Sequence, residues 1–533
     1  MEAAPTSPAP AAPTVSVLEQ PAGTNPFTLR FWLGKVDLRP IALFRIVLGA
    51  FILFDALEFA PDLRAWFSDA GVLPRAPFIS GWARQTRFVL LDAFASPAMV
   101  WVYWAIAVAV SIAVILGYRS RIASVLAFVL FAGFQERIPP LFDGSDTVLR
   151  VLLFWHMFTA SGNVWSLDAL RAKELGKPLP TEGFALPVRL VGLQVGWVYL
   201  CSAFYKANGH SWRDGTAVHY TLHLTHVFSR PWAPIFDTPF LVKAMTYGTL
   251  VIESTFIFLT HLPVAGRVRK LAKAAALLGG TSLHAGIFMT INVGHFSYFM
   301  PMTYLALFEP EWSQWVVDRA SKALNIPSWL PRFEKLAATL PETAVKVPAP
   351  GMTPAVRYGW MGVAGFFVLV CWGSLPKNPQ FPVPTPISTT LEYTSMWSNW
   401  DMFAPEPLST DYQLSAPAVF EDGTTTDLLG EGGEKRGFFF TRWWKYMENV
   451  TGGNQTLPME WGRYICREHN FDNSGKPRLY SFTLIKDNQQ IPAFGQPWPD
   501  VQRQTVWHHV CYDKPKDKAE PTLPVAVAPK HLP

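Results

Sequence analysis

Charge is scarce in this chain: 16% of its 533 residues are Asp, Glu, Lys or Arg, against about 25% in soluble domains. That deficit excludes an ordinary water-soluble enzyme of this length. Basic residues exceed acidic ones only slightly, 45 to 40, and no dense Lys/Arg tract interleaved with aromatics occurs. No nucleic-acid partner is therefore expected, and the small excess suits basic loops flanking membrane helices. Signal-peptide features are missing as well. The opening MEAAPTSPAPAAPTVSVLEQPAGTN has no basic start, apolar core or small-residue cleavage site, so the first apolar helix is expected to do the targeting. Internal repeats, an HExxH metal motif and a symmetric pair of broken helices are absent too. The last absence disfavours a transporter.

What is abundant is apolar and aromatic: half of the residues are hydrophobic, with 22 Trp and 39 Phe. Runs long enough to span a bilayer recur at about 39–59, 97–117, 121–137, 146–162, 187–206, 240–261, 272–291, 294–308 and 357–376, roughly nine in all. The third and eighth are short enough to be tilted or partly re-entrant. The expected fold is an all-α polytopic membrane bundle with a small C-terminal antiparallel β-rich domain. Arg119 and Arg121 lie in one short loop, and Arg267, Arg269, Lys270 and Lys273 in or beside another. Making both loops cytoplasmic puts the N-terminus inside and the C-terminal domain in the extracytoplasmic space. The divisions expected are a disordered stretch over 1–25 and a transmembrane domain over 26–312, its start carrying an interfacial segment, FTLRFWLGKVDLRP. Cytoplasmic amphipathic helices over 313–356, a last span over 357–376 and the extracytoplasmic domain over 377–533 follow. In that last domain GFFFTRWW and RYICRE read as strands. Of the four cysteines, Cys201 and Cys371 fall in apolar spans as packing residues. Cys466 and Cys511 fall in the tail, where a disulfide is permitted but not dictated.

The informative residues are the polar ones inside the spans, which are costly there and face the bundle interior. Arg45, Asp55 and Glu58 share span one; Arg45 reads as bonding a neighbouring helix or snorkelling. Asp146 and Arg150 are four apart on span four, either as a plain helical ion pair or as a carboxylate held by a cation in an outer mouth. His156 reads as a satisfied core histidine. Glu253 is an isolated acid in span six, where a partner for Arg45 or Lys206 is expected. His284 lies mid-span, with Asn292 and His295 nearer the outer end, and stands open between packing and function. His219, His223 and His226 share a helical face, but without further ligands of standard spacing no metal site is expected. Lys206 ends span five. It is either a helix-end lysine reaching for the interface or a desolvated amine available as a base.

The ordered motifs ALFRIVLG, AWFSDAG, DGSDTVLRVLLFWHMFTASGNVWSLDAL, YLCSAFYKANGHSWRDGTA and LHAGIFMTINVGHFSYFMPMTYLALFEPEW run over residues 33–312. This series resembles the HTTM (horizontally transferred transmembrane) domain shared by vitamin K-dependent gamma-carboxylase and many bacterial membrane proteins. MWSNWDMFAPEP with EDGTTTDLL resembles the extracytoplasmic extension of the bacterial members. The resemblance implies a carboxylase/epoxidase-like lysine base at Lys206, with His284 orienting the substrate and Asp146 and Arg150 tuning the site. Trp212 and Asn292 become the candidate cofactor contacts, the cofactor class implied being a reduced, vitamin K-like quinone. A secreted peptide or protein would be the substrate at the outer face. Asp146 stands where the carboxylase has a histidine, so glutamate carboxylation itself does not transfer. The alternative is a non-catalytic membrane scaffold for export, maturation or immunity of a secreted partner.

Overall fold

A computed structural model describes residues 17–76, 89–225, 229–341, 353–375, 382–429, 442–471 and 476–512. Among the described residues, six helices are long and apolar enough to cross a membrane. They are α1 (Arg39–Phe59, with a short continuation to Phe67), α2 (Met99–Leu116), α5 (Ala185–Ala207), α6 (Pro239–Thr260), α7 (Gly266–Thr290) and α11 (Pro354–Gly373). α1 and α5 are buried along most of their length, whereas α2, α6, α7 and α11 turn Trp101, Ile106, Phe258, Leu278 and Val368 outward. An apolar belt of that kind needs an apolar solvent.

The expected count of nine is not met. α3 (Ser120–Arg137) carries Arg121, Glu136 and Arg137, α4 (Gly144–His156) has 13 residues, and α8 (Phe296–Thr303) has 8 with Pro301 inside it. At about 1.5 Å per residue, α4 covers roughly 20 Å, short of a hydrocarbon core of about 30 Å. Hydropathy alone could not reveal that these apolar stretches break into short helices.

Two distinct ends of the bundle emerge from the contacts. At one end Arg119 and Ser120 donate their backbone N–H groups to Asp168 at 2.9 and 2.8 Å, and strand β1 (Lys35–Asp37) pairs antiparallel with β2 (Glu182–Phe184). Arg269 forms a two-pronged bond to Glu309, 2.8 Å on each arm, just before α9 (Pro310–Ala323), and α9 packs on α1. Both basic loops therefore lie at this end. Helix α10 (Ile326–Thr339) lies here too, its Ala338 carbonyl accepting from Arg171 at 2.9 Å. Of the stretch 1–25 expected to be disordered, residues 17–25 are described and ordered, Ala22 N donating to Lys35 O at 2.7 Å, while residues 1–16 lie outside the described ones.

The tail sits on the opposite end. Its antiparallel sheet has the order β3 (Thr410–Ser415), β6 (Leu479–Gln490), β4 (Pro417–Phe420), β5 (Thr425–Asp427), with β7 (Gln502–Val510) along β6. Two helices, α12 (Arg442–Val450) and α13 (Thr456–Phe471), replace strands expected there. The buried residues Arg442, Tyr446, Met447 and Val450, and likewise Leu457 and Trp461, recur at helical spacing, which six-residue windows conceal. The stretch 437–441 of GFFFTRWW lies outside the described residues. Cys466 on α13 and Cys511 after β7 are disulfide-bonded, and Cys201 and Cys371 are buried and free.

Candidate functional site

Tyr199, Ser202 and Lys206 are spaced by three and four along α5, which places them on one helical face. That face turns inward. Lys206 is 4% exposed, and its Nζ donates to Glu253 Oε1 and to Ser202 Oγ, each at 2.6 Å. The amine lies 5.2 Å from the centre of the Trp212 ring. The interface-seeking reading of Lys206 is therefore wrong. A second ring of contacts adjoins this pair: His284 Nε2 is hydrogen-bonded to the Tyr199 hydroxyl at 2.6 Å, and that hydroxyl bonds Tyr304. Gly280 makes this approach feasible, since a Cβ there would meet the Tyr304 hydroxyl at 2.5 Å. Two buried atoms are left over. Glu253 Oε2 and His284 Nδ1 have no hydrogen-bond partner among the described residues. Such orphans are costly in a folded protein unless something else satisfies them.

Asp146 belongs to a different network, and its partner is not Arg150. Asp143 and Asp146 form a capping box at the start of α4, and Arg442 of the tail approaches from above. Arg442 donates to both Asp146 oxygens at 2.9 and 3.0 Å, to Asp55, and to Glu58 at 3.2 Å. His295 completes the group, 3.3 Å from Glu58. Burial alone would strip charge from Arg442, but Asp146, Asp55 and Glu58 outweigh it and hold the guanidinium firmly protonated. His295 follows the same balance: burial and the Arg442 charge pull its pKa down, and the bond to Glu58 together with the Glu58 and Asp55 charges more than restores it. Asp143, deep in the cap, is pushed up by burial and by the neighbouring Asp146 charge. Arg150 instead donates to the Trp397 carbonyl at 2.9 Å and reaches Glu136 at 3.5 Å. A guanidinium with three carboxylates around it outcompetes a pairing one helical turn away.

The segment MWSNWDMFAPEP spans both networks. Its Trp397 engages Arg150, its Phe403 carbonyl accepts from Trp212 Nε1 at 2.9 Å, and Glu406 takes the backbone N–H groups of His210 and Ser211. Gly209 lies so close under the Pro405 carbonyl that a Cβ there would overlap it.

The remaining singled-out residues are mostly structural. Arg45 donates to the carbonyls of Ser161 and Trp165, and His156 bonds Ser161 at 2.9 Å. Asn292 joins neither network by a hydrogen bond among the described residues. Asp55, Glu58 and His295 offer ligand atoms close enough for a metal ion, but the Arg442 guanidinium already sits among them. His219, His223 and Asp237 form the other such group. There Asp237 takes His219 Nδ1 at 2.8 Å and the Pro492 carbonyl takes Nε2, while His226 lies outside the described residues. Tyr199 and Tyr304 were missed in the sequence, although Tyr199 stands seven residues before Lys206. Arg442 was missed with no such signal.

The family model described as "HTTM domain" matches residues 34–312, just over half of the chain. A protein of Bacillus subtilis (strain 168), named "Uncharacterized protein YitO", is 26% identical over 166 residues, covering 28% of this chain and 49% of that protein. The chain thus spans about half the length of this curated relative. No solved structure matches it.

Proposed function

This chain belongs to the HTTM domain family, and on that premise we propose an integral membrane enzyme that moves a proton at Lys206 and Glu253 while modifying a secreted peptide or protein. The orientation in this reading places both basic loops in the cytoplasm and the tail in the extracytoplasmic space. The observation that carries the proposal is the buried Lys206–Glu253 pair with an unpartnered Glu253 Oε2 beside an unpartnered His284 Nδ1. Unsatisfied buried polar atoms on and near a protonatable pair are what a reacting hydroxyl or acidic C–H group would need.

A reduced quinone is the co-substrate class the family resemblance adds, and the donor set fits it. Glu253 Oε2 and His284 Nδ1 would hold its hydroxyl groups, and the rings of Tyr199 and Phe296 beside His284 and of Trp212 beside Lys206 would flank it. What such a group supplies when bound is an acidic hydroxyl. Glu253 would first take the ammonium proton of Lys206, and the freed amine would then accept the hydroxyl proton. The re-formed ammonium would balance the oxyanion, and Ser202 would keep the amine aimed. His284 would be fixed in one tautomer by the Tyr199–Tyr304 pair. Lys206→Ala and Lys206→Arg, produced in the native host, would be compared by mass spectrometry of secreted proteins. The product mass should vanish in both variants, and its persistence in both would refute the base.

The second reading, a non-catalytic scaffold, is favoured by the insertion of Arg442 into the bundle, which fixes a tail domain over one end. Under it, the secreted partner's phenotype would survive both Lys206 substitutions and be lost when the tail is undocked.

A further inference from the structure

At the end of the bundle remote from Lys206 lies a cavity of about 280 Å³ where the starts of α1, α5 and α7 meet the end of α6. Arg189 and Lys206 are 17 residues apart on α5, about 25 Å at 1.5 Å per residue, so this cavity is separate from the site above. Its charged lining is Lys35, Arg189, Arg269 and Lys273 against Asp37, Glu182 and Glu309. Most of these cancel. Glu309 is held by Arg269 and by Lys273, the latter at 2.6 Å, and Asp37 is held by Arg39 at 2.7 Å. Lys35 and Glu182 are exposed at the rim. Glu309 offsets only one of its two cations, so the inside keeps a positive surplus, and Arg189 is the cation there with no ion pair among the described residues. Its guanidinium carbon lies 4.2 Å from the centre of the Phe31 ring, and its buried Nε has no hydrogen-bond partner among the described residues.

An uncancelled guanidinium facing a cavity asks for an anion with two acceptor oxygens. The lining carries four cations against three acids, a positive surplus that a phosphodiester would offset. The volume lies just under the range of about 300–1,000 Å³ typical of drug-sized ligands, which suits a group of headgroup size. We propose that this cavity binds a phosphodiester, with Arg189 as its principal donor and Lys35 at its mouth. The two sources of that chemistry are the headgroup of an anionic phospholipid and a soluble glycerophosphodiester.

The test measures thermal unfolding of the purified full chain in detergent with dihexanoyl phosphatidylglycerol, with glycerophosphoglycerol lacking acyl chains, and with dihexanoyl phosphatidylcholine. Phosphatidylglycerol should raise the midpoint of the wild type, the shift following occupancy. Arg189→Gln should weaken that binding by about tenfold or more, the effect of losing one charge-assisted pair. Arg189→Lys, which keeps the charge and loses the fork, should fall between the two, and Lys35→Gln on the exposed rim should weaken it mildly without endangering the fold. A shift with phosphatidylglycerol alone identifies a lipid occupant, and equal shifts with glycerophosphoglycerol identify the soluble one. Equal shifts with phosphatidylcholine, whose phosphodiester is offset by its own ammonium and leaves no net charge, equal shifts in wild type and Arg189→Gln, or no shift with either net-anionic phosphodiester would overturn the site.

Discussion

Replacing Arg442 with methionine keeps an apolar stem against Phe59 and Phe142, whose rings the guanidinium carbon now faces at 5.0 and 5.1 Å, and removes only the charged fork. Asp55 and Asp146 lose their guanidinium partner while buried, and Glu58 keeps only His295. Breaking a buried ion pair by deleting one member costs about 3–5 kcal/mol, because the remaining charge stays desolvated. If that cost falls on docking of the tail, opening of α12 should become roughly a hundred- to several-thousand-fold more frequent. Hydrogen exchange of the 442–450 amides, read by mass spectrometry on the intact protein, measures that opening directly. The sharper arm is a double-mutant cycle with Asp55→Asn. Alone, Asp55→Asn should destabilise docking, since Arg442 loses a partner. In the Arg442→Met background it should help, since it removes a like charge, giving a coupling of about 1–3 kcal/mol. Exchange within threefold of wild type in Arg442→Met, or the same harm from Asp55→Asn in both backgrounds, would refute the reasoning.

Other expectations follow from the same geometry. Glu253→Gln should destabilise the bundle by about 3 kcal/mol by stranding the Lys206 charge, and adding Lys206→Met should recover much of that in chemical unfolding. Opening the Cys466–Cys511 bridge, which spans 45 residues, should cost the tail about 4 kcal/mol by loop entropy, seen as a lower denaturation midpoint in reductant. The Glu309 carboxyl lies below its ordinary value of 4.5: burial pushes it up, but Lys273 and Arg269 outweigh that. A depressed acid stabilises the fold above its unfolded value, so this contribution should fade as pH falls below about 4.5, and Glu309→Gln should flatten the acid limb of a stability titration. An alkaline phosphatase reporter fused after Tyr512 should be active in cells. A silent fusion, with a cytoplasmic reporter active there, would invert the proposed orientation.

The helical bundle was legible because long apolar runs leave few alternatives in a lipid solvent, and Glu253 was legible because a lone acid in such a run demands a partner. Spacing on one helix predicted an Asp146–Arg150 pair, and it failed because Arg442, 296 residues away in sequence, presents a better fork to the same carboxylate. Nothing local to Arg442 announces that role. Its aromatic surroundings read as a strand, since a short window cannot separate alternation from helical recurrence. The ends of α4 and α8 were equally opaque, because hydropathy measures the environment a stretch tolerates and not where its hydrogen-bonded ladder stops. His284 and Lys206 were visible as residues, whereas the two tyrosines joining His284 to its surroundings come from separate segments that only the fold brings together.

The Arg442 contact also has a chronology. Asp55, Glu58 and Asp146 emerge from the ribosome early, and the cation that settles them is made almost 300 residues after the last of the three. Until then the acidic end of the bundle is unfinished, held only by His295 once that has been made. The tail is in this sense the closing piece of the membrane domain's own assembly. A chain truncated before residue 442 would leave the quality-control proteases of the cell a bundle whose three carboxylates have lost their guanidinium and keep only His295 among them.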